Sequence, residues 1–403
     1  MTILAAALLA APAAAIAVAP AAQDSAVTRA ETQASGEAQD EPVRATPVVS
    51  IDDAHGALKR SLDYLVRTQN DDGSWARGTQ ESLLEDIFAP ESFYAWQMAS
   101  QAIACQALLE ADESTARRKA LDEGLMWLCT SRLPKRGANW DIDYVWTMLY
   151  GFAACVAAAG DERYAGDDWQ ARIAERGQDF YAMLADHQSV RGGWAYYDNP
   201  PYPKHPMWAT SFSTACVLPA LCEARDELDW GIDAAVVERA VRYVERCALP
   251  NGAYAYSGDS IPRFAGESIN NVKGSLGRIQ VCNWALARAG VERITEDRVR
   301  EGLAAFFQHH MFLDVARMKP IPHEAYYANA GYFYYFGHYY AAQAIELLPA
   351  AEREGWHAKL RWHLIKTQQA DGSTTDFQAG GYIRVACTAF TALALQAGLN
   401  SDG

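Results

Sequence analysis

Cysteine is sparse and unpatterned. Eight occur in 403 residues with no Cys-x-x-Cys pair, which excludes a disulfide scaffold or a cysteine-ligated zinc finger as the source of the fold. Basic residues are outnumbered, 35 Lys and Arg against 50 Asp and Glu, for a formal charge of −15. An acidic surface repels a phosphate backbone, so no nucleic-acid partner is expected. Beyond the N-terminal segment no eighteen apolar residues run together without a charge or a strong turn residue, so the body is expected to be soluble and no membrane association is required. No Cys-Gly-Glu-Gln thioester string is present. What is plentiful is apolar surface: half of the residues are hydrophobic, enough for one large core or two ordinary ones.

The first residues, MTILAAALLAAPAAAIAVAPAAQ, form an Ala-rich apolar run ending in small residues at Ala19 to Ala22. This predicts a signal peptide over 1–22 and a periplasmic or secreted protein. No Lys or Arg precedes Arg29 and Pro12 interrupts the run, so a lipid-embedded anchor or a later start codon are the other readings. Residues 23–50 are rich in Ala, Glu, Gln, Asp, Thr and Ser, which predicts a disordered acidic linker before a folded body at 51–403.

A repeat organises that body. Its clearest copy is Tyr64-Leu65-Val66-Arg67-Thr68-Gln69-Asn70-Asp71-Asp72-Gly73-Ser74-Trp75. Weaker copies carry Arg132, Gly137 and Trp140; Gln188, Gly192 and Trp194; Cys247, Gly252 and Tyr254; Met311; and Gln368 with Gly372. The markers at 69, 132, 188, 247, 311 and 368 lie 63, 56, 59, 64 and 57 residues apart. Each unit reads as an amphipathic helix, such as 55–69, 117–132 or 233–247, then a turn, then a more apolar helix. The apolar members are Phe93–Leu109, Val145–Ala159, Met207–Cys222, Val281–Ala289, Tyr332–Leu348 and Val385–Gln396. Apolar helices belong inside and amphipathic ones outside, and six pairs can close on themselves. The predicted fold is an all-α (α/α)6 toroid whose central cavity is ringed by inner-helix N-termini.

The string YLVRTQNDDGSW resembles the QW repeat of squalene and oxidosqualene cyclases and of protein prenyltransferase β subunits. KTQQADGS with GGYIRVACTAFTALAL is similar to the closing repeat of that terpenoid cyclase and protein prenyltransferase superfamily. The resemblance covers residues 55–399 and implies the toroid. In the repeat, Gln and Trp read as structural, the amide tying off backbone groups at a helix end and the indole packing over the neighbouring unit. Class II cyclases protonate their substrate from Asp-x-Asp-Asp, which is absent; the nearest feature is Asp141 and Asp143, expected either to share a proton or simply to cap a helix. The Asp-Asp-x-x-Asp magnesium signature is also absent. The segment around Cys282 looks like the zinc-binding Asp-x-Cys helix of prenyltransferases and that around His338 like their His helix. Gln280 stands where the Asp should be, so no metal and no cofactor is expected, with Cys282 and His338 as the weak candidates.

Other candidates come from the residues themselves. Cys105, Cys155, Cys216, Cys282 and Cys387 read as small residues where inner helices crowd. The run Tyr326–Tyr340 is dense in aromatics, and Tyr327, Tyr332, Tyr335 and His338 are expected to face the cavity, with Trp146 and Trp208 as further rings for a ligand. His205, in a Pro-rich loop, is a candidate acid or base beside Asp141, Asp143 and His338, and Asn271, Lys273 and Arg278 could bind an anionic group. Three function classes follow: a toroid holding an isoprenoid or other apolar ligand, with cyclase-like acid chemistry as an option; a carbohydrate-active lyase or hydrolase; and a non-catalytic binding protein. The resemblance places the isoprenoid reading first, and a saccharide is the alternative small-molecule partner. A cyclase needs a nearly dry cavity with one acid, whereas a sugar enzyme needs several convergent carboxylates.

Overall fold

A computed structural model of the chain describes residues 47, 49–85, 88–136, 143–196, 206–258 and 265–400. The expected leader peptide, all but the last few linker residues, Asp141 and His205 lie outside that set. Among the described residues there are thirteen α-helices and no strand beyond two isolated bridges. They are α1 (Ile51–Thr68), α2 (Pro90–Leu109), α3 (Thr115–Thr130), α4 (Val145–Ala159), α5 (Asp167–His187), α6 (Ser211–Asp226), α7 (Ala234–Arg246), α8 (Leu276–Arg288), α9 (Glu296–Gln308), α10 (Met311–Ala316), α11 (Phe333–Ile345), α12 (Ala350–Ile365) and α13 (Gly381–Asn400).

Polarity sorts these helices into two rings. The outer helices have one buried face: α7 turns Val236, Val237, Ala240, Tyr243 and Val244 inward and leaves Glu238 and Arg239 in solvent. Capping side chains set their starts, as Ser50, Ser114, Asp233 and Thr295 each accept from a backbone N–H in the first turn. The inner helices are apolar nearly all round, and so are buried. Contacts run α2–α4–α6–α8–α11–α13, and α13 returns to α2, so the inner ring is closed. The architecture is the (α/α)6 toroid that the repeat predicts.

The turn between outer and inner helix locks each unit to the next. Gln69 Nε2 donates to the Gly73 carbonyl at 3.0 Å and to the Ala120 carbonyl of α3 at 2.8 Å. Gln188 makes the same pair to Gly192 and to Val236 of α7, and Gln368 to Gly372 and to Ala57 of α1. The third instance closes the ring. The three glycines have φ of +84°, +103° and +89°, and a Cβ on them would stand 2.5, 2.6 and 2.3 Å from the carbonyl oxygens of Glu123, Arg239 and Arg60. Only glycine satisfies both conditions. Trp75 and Trp194, fully buried, donate from Nε1 back to the Leu65 and Leu184 carbonyls. Where the fourth unit has Cys247 instead of Gln, Arg298 of α9 reaches over and donates to the Gly252 carbonyl at 2.6 Å.

Gly372→Ala, placing a side chain at positive φ against the α1 backbone, should lower the unfolding free energy by about 3 kcal/mol. Urea denaturation measures it, and an unchanged midpoint would show that the seam tolerates a Cβ.

Candidate functional site

The central hollow lies at the opposite end of the ring from the one expected. A cavity of about 640 Å³ is lined by the C-terminal halves of the inner helices, not by their starts. Side-chain size explains the reversal. Towards the helix starts, large rings from several units meet across the axis: Phe212 of α6 lies 5.3 Å from Phe333 and 6.0 Å from Phe336 of α11, and 6.1 Å from Trp146 of α4. Towards the helix ends Ala153, Ala157, Ala220 and Ala397 leave room. The size is that of an ordinary small-ligand site.

The cavity floor is aromatic. Tyr150 of α4 and Tyr340 of α11, on opposite sides of the ring, interact with each other. Phe390 of α13 lies 5.8 Å from Tyr150 and stacks on Tyr339 at 5.1 Å. Burial pushes the phenols up, and the Cys216 thiol beside them up to about 12, so all stay protonated and neutral. The wall and rim are mixed: Trp284 and Leu393 stand with Gln106, Gln343, Gln396, Glu110, Glu223 and Arg288. Glu110 closes α2, and burial, then the Asp161 charge, raises its pKa. Glu223 of α6 is raised by burial and then by Glu227. Glu346, at the end of α11, is instead held by Arg353 at 3.0 Å and His357 at 2.7 Å. Burial thus shifts two carboxyls on one rim upward, the direction a general acid requires.

The residues singled out from sequence are placed as follows. Asp143 is buried just before α4, within electrostatic reach of Tyr382. Trp146 and Trp208 join the aromatic plug through Tyr196, at 6.1 and 5.7 Å. Tyr332 sits at the same end, its hydroxyl 2.9 Å from His323 Nε2. Tyr335 does not face the cavity: it is fully buried in the wall, its hydroxyl donating to Thr367 Oγ1 at the end of α12. Tyr327 is also outside, against Phe312 of α10 and Lys273. Lys273 lies over those two rings, and Asn271 caps the short turn 272–274. Arg278 is buried, spread over the Tyr256 ring and donating to the Ile269 and Tyr254 carbonyls; burial lowers its pKa to about 10. A single turn of α11 explains the inversion, since the faces reaching the axis are those of Phe336, Tyr339, Tyr340 and Gln343.

Cys282 and His338 are not brought together. Cys282 lies among Cys247, Arg278 and Ser211, while His338 lies among Phe306, His310, Tyr334 and His363. Gln280 spans from α8 to the Gly302 carbonyl of α9 at 2.9 Å, a tie between inner and outer helix. The recurrent inner-helix cysteines are buried and free.

One buried acid serves the fold. Asp376 accepts from the Tyr335 backbone N–H at 3.1 Å and from the Cys387 thiol, and burial raises its pKa to about 6.

No family model and no curated protein matches the sequence. Solved structures do match in fold. A type II terpene cyclase, MstE from Scytonema, is 14% identical with a TM-score of 0.52, covering 88% of this chain and 100% of that one. The GH76A α-1,6-mannanase from Salegentibacter sp. is 13% identical with a TM-score of 0.53, covering 87% and 99%. A possible GH105 family member from Salmonella enterica is 13% identical with a TM-score of 0.54, covering 90% and 100%. The chain shares the α/α-toroid fold of these proteins, which hosts both terpenoid and carbohydrate chemistry.

The Asp376 shift fixes a pH dependence of stability. A carboxyl with a folded pKa above its unfolded value binds more protons folded, so its contribution is favourable in acid and is lost as pH rises from about 4 to about 6. In Asp376→Asn that loss should vanish, making the variant's stability relative to the parent up to about 3 kcal/mol better at pH 8 than at pH 4. Urea unfolding at the two pH values reads it; equal differences would place the Asp376 pKa near that of an ordinary carboxyl.

Proposed function

We propose that the protein is a carbohydrate-active toroid that hydrolyses a glycosidic bond of a saccharide held in the inner-helix cavity. The observation that carries this reading is the pair of carboxyls whose pKa burial raises, Glu110 and Glu223, on a rim that also offers four carboxamides and Arg288. Glycoside hydrolysis needs two carboxyl groups, one protonated to deliver a proton to the leaving oxygen and one to act on the anomeric carbon or on water. Carboxamides suit hydroxyl-rich ligands because each donates and accepts. Trp284 and Tyr339 offer faces on which a pyranose can stack. The α-1,6-mannanase and the possible GH105 family member among the fold neighbours agree with this reading. In this scheme Glu110, at the end of α2, is the acid and Glu223 of α6 its partner.

The isoprenoid reading retains one observation of its own. The floor of Tyr150, Tyr339, Tyr340 and Phe390 could stabilise a carbocation through its ring faces. Against it stand the polar rim and the lack of an Asp-x-Asp-Asp acid.

Incubation of the purified chain with a panel of plant, fungal and bacterial polysaccharides, read by reducing-end release, tests the proposal. Glu110→Gln and Glu223→Gln should each lower kcat by at least about 100-fold. The alkaline limb of the pH profile should fall above the ordinary glutamate range and be absent in Glu110→Gln. Recovery from the cavity of a terpenoid guest and no saccharide, by mass spectrometry of co-purifying molecules, would overturn it.

A further inference from the structure

Three buried imidazoles meet in the toroid wall, on the far side of α11 from the cavity. His310 heads α10, His338 lies in α11 and His363 in the last turn of α12. One ring nitrogen of each lies within 4.8 Å of the others. His310 Nε2 and His338 Nε2 are 3.0 Å apart, and the His310 and His363 rings stack at 3.4 Å.

The partners of the other nitrogens decide what that contact is. His338 Nδ1 is 2.7 Å from the Tyr334 carbonyl, and His310 Nδ1 is 3.0 Å from Asp314 Oδ2. Both are acceptors only. The carbonyl has no proton to give, and the Asp314 carboxylate is paired with Lys366 Nζ at 3.1 Å. Each Nδ1 must therefore carry the hydrogen, which leaves two Nε2 lone pairs facing one another in neutral rings. Two lone pairs at 3.0 Å repel unless a cation lies between them. His363 Nδ1 is buried with no hydrogen-bond partner, a third donor atom without a use in the fold. A carboxylate on one ligating histidine and a backbone carbonyl on another are the supports that orient imidazoles toward a metal. Phe306, 5.2 Å from His338 and 5.7 Å from His310, keeps the cluster dry.

We propose that His310, His338 and His363 form a binding site for a divalent transition metal of the zinc class, joining inner helix α11 to the outer helices α10 and α12. Three imidazoles and no oxygen ligand favour zinc, cobalt or nickel over magnesium or calcium. The chain places these ligands where the fifth unit, interrupted by α10 and without a glutamine turn, meets the outer helix of the sixth. A metal there would supply the tie that Gln69, Gln188 and Gln368 supply elsewhere.

The test uses the untagged chain, stripped with a chelator and titrated with zinc or cobalt. Elemental analysis should find about one zinc per chain, cobalt should give the visible d–d absorption of a low-coordinate nitrogen site, and zinc should raise the thermal midpoint. His363→Phe, a ring suited to the same aromatic packing, should keep the fold and lose the cobalt spectrum and the zinc-dependent shift. Asp314→Asn should weaken cobalt binding about 10- to 100-fold. Absence of cobalt absorption in the wild-type chain, with zinc well below one per chain, would overturn the site and leave a shared proton as the occupant of the His310–His338 contact. An unchanged spectrum in His363→Phe would overturn the three-histidine assignment. Neither outcome bears on Glu110 and Glu223, whose activity is read separately.

Discussion

The close approach of one backbone to another at the glutamine turns governs this structure. A glycine at positive φ lets the chain reverse within van der Waals distance of the next outer helix, and the glutamine four residues earlier spends its amide on two carbonyls that the approach would otherwise leave bare. One hydrogen-bond set thus ends a helix, starts the return segment and fixes the offset to the next unit. Repetition of that offset is what bends twelve helices into a circle. Where the glutamine is missing the need persists, and an arginine from the neighbouring helix meets it at Gly252.

Ring closure then determines where a ligand can go. Six inner helices enclose a narrow axis, and its contents depend on the girth of the side chains at each level. Phenyl and indole groups plug the level of the helix starts, whereas alanines and one proline open the level of the helix ends, with Tyr150, Tyr340 and Phe390 as the boundary. The carboxyls at that opening owe their proton affinity to the same enclosure, because desolvation penalises the charged form before any neighbour does.

The fold was legible because it is written in period. The sixty-residue spacing and the contrast between amphipathic and apolar helices gave α4 at its observed limits and placed α1, α3 and α7 within a few residues. The site was far less legible. Its residues come one or two at a time from all six inner helices and form no contiguous string, so Glu110 and Glu223 carry no mark in sequence. The aromatic run of α11 did announce itself, but which rings face the axis depends on helix rotation, and Tyr335 and His338 turn into the wall while Tyr339 and Tyr340 turn inward. His310 and His363 escaped notice because they lie 53 residues apart and match no ligand-spacing pattern. A signal did exist: both flank the fifth unit, one of the three whose marker position is not glutamine.

The seam between last and first units has a kinetic side. Gln368 finds Ala57 across 311 residues of sequence, whereas every other glutamine bridge spans about fifty. Neighbouring units can assemble as they emerge, but the flank of α2 stays uncovered until α13 arrives, which is among the most apolar segments of the chain. The growing polypeptide is thus an open crescent with a greasy edge for almost the whole of its synthesis. Its vulnerability to aggregation ends in one late annealing event, when the two ends of the crescent meet.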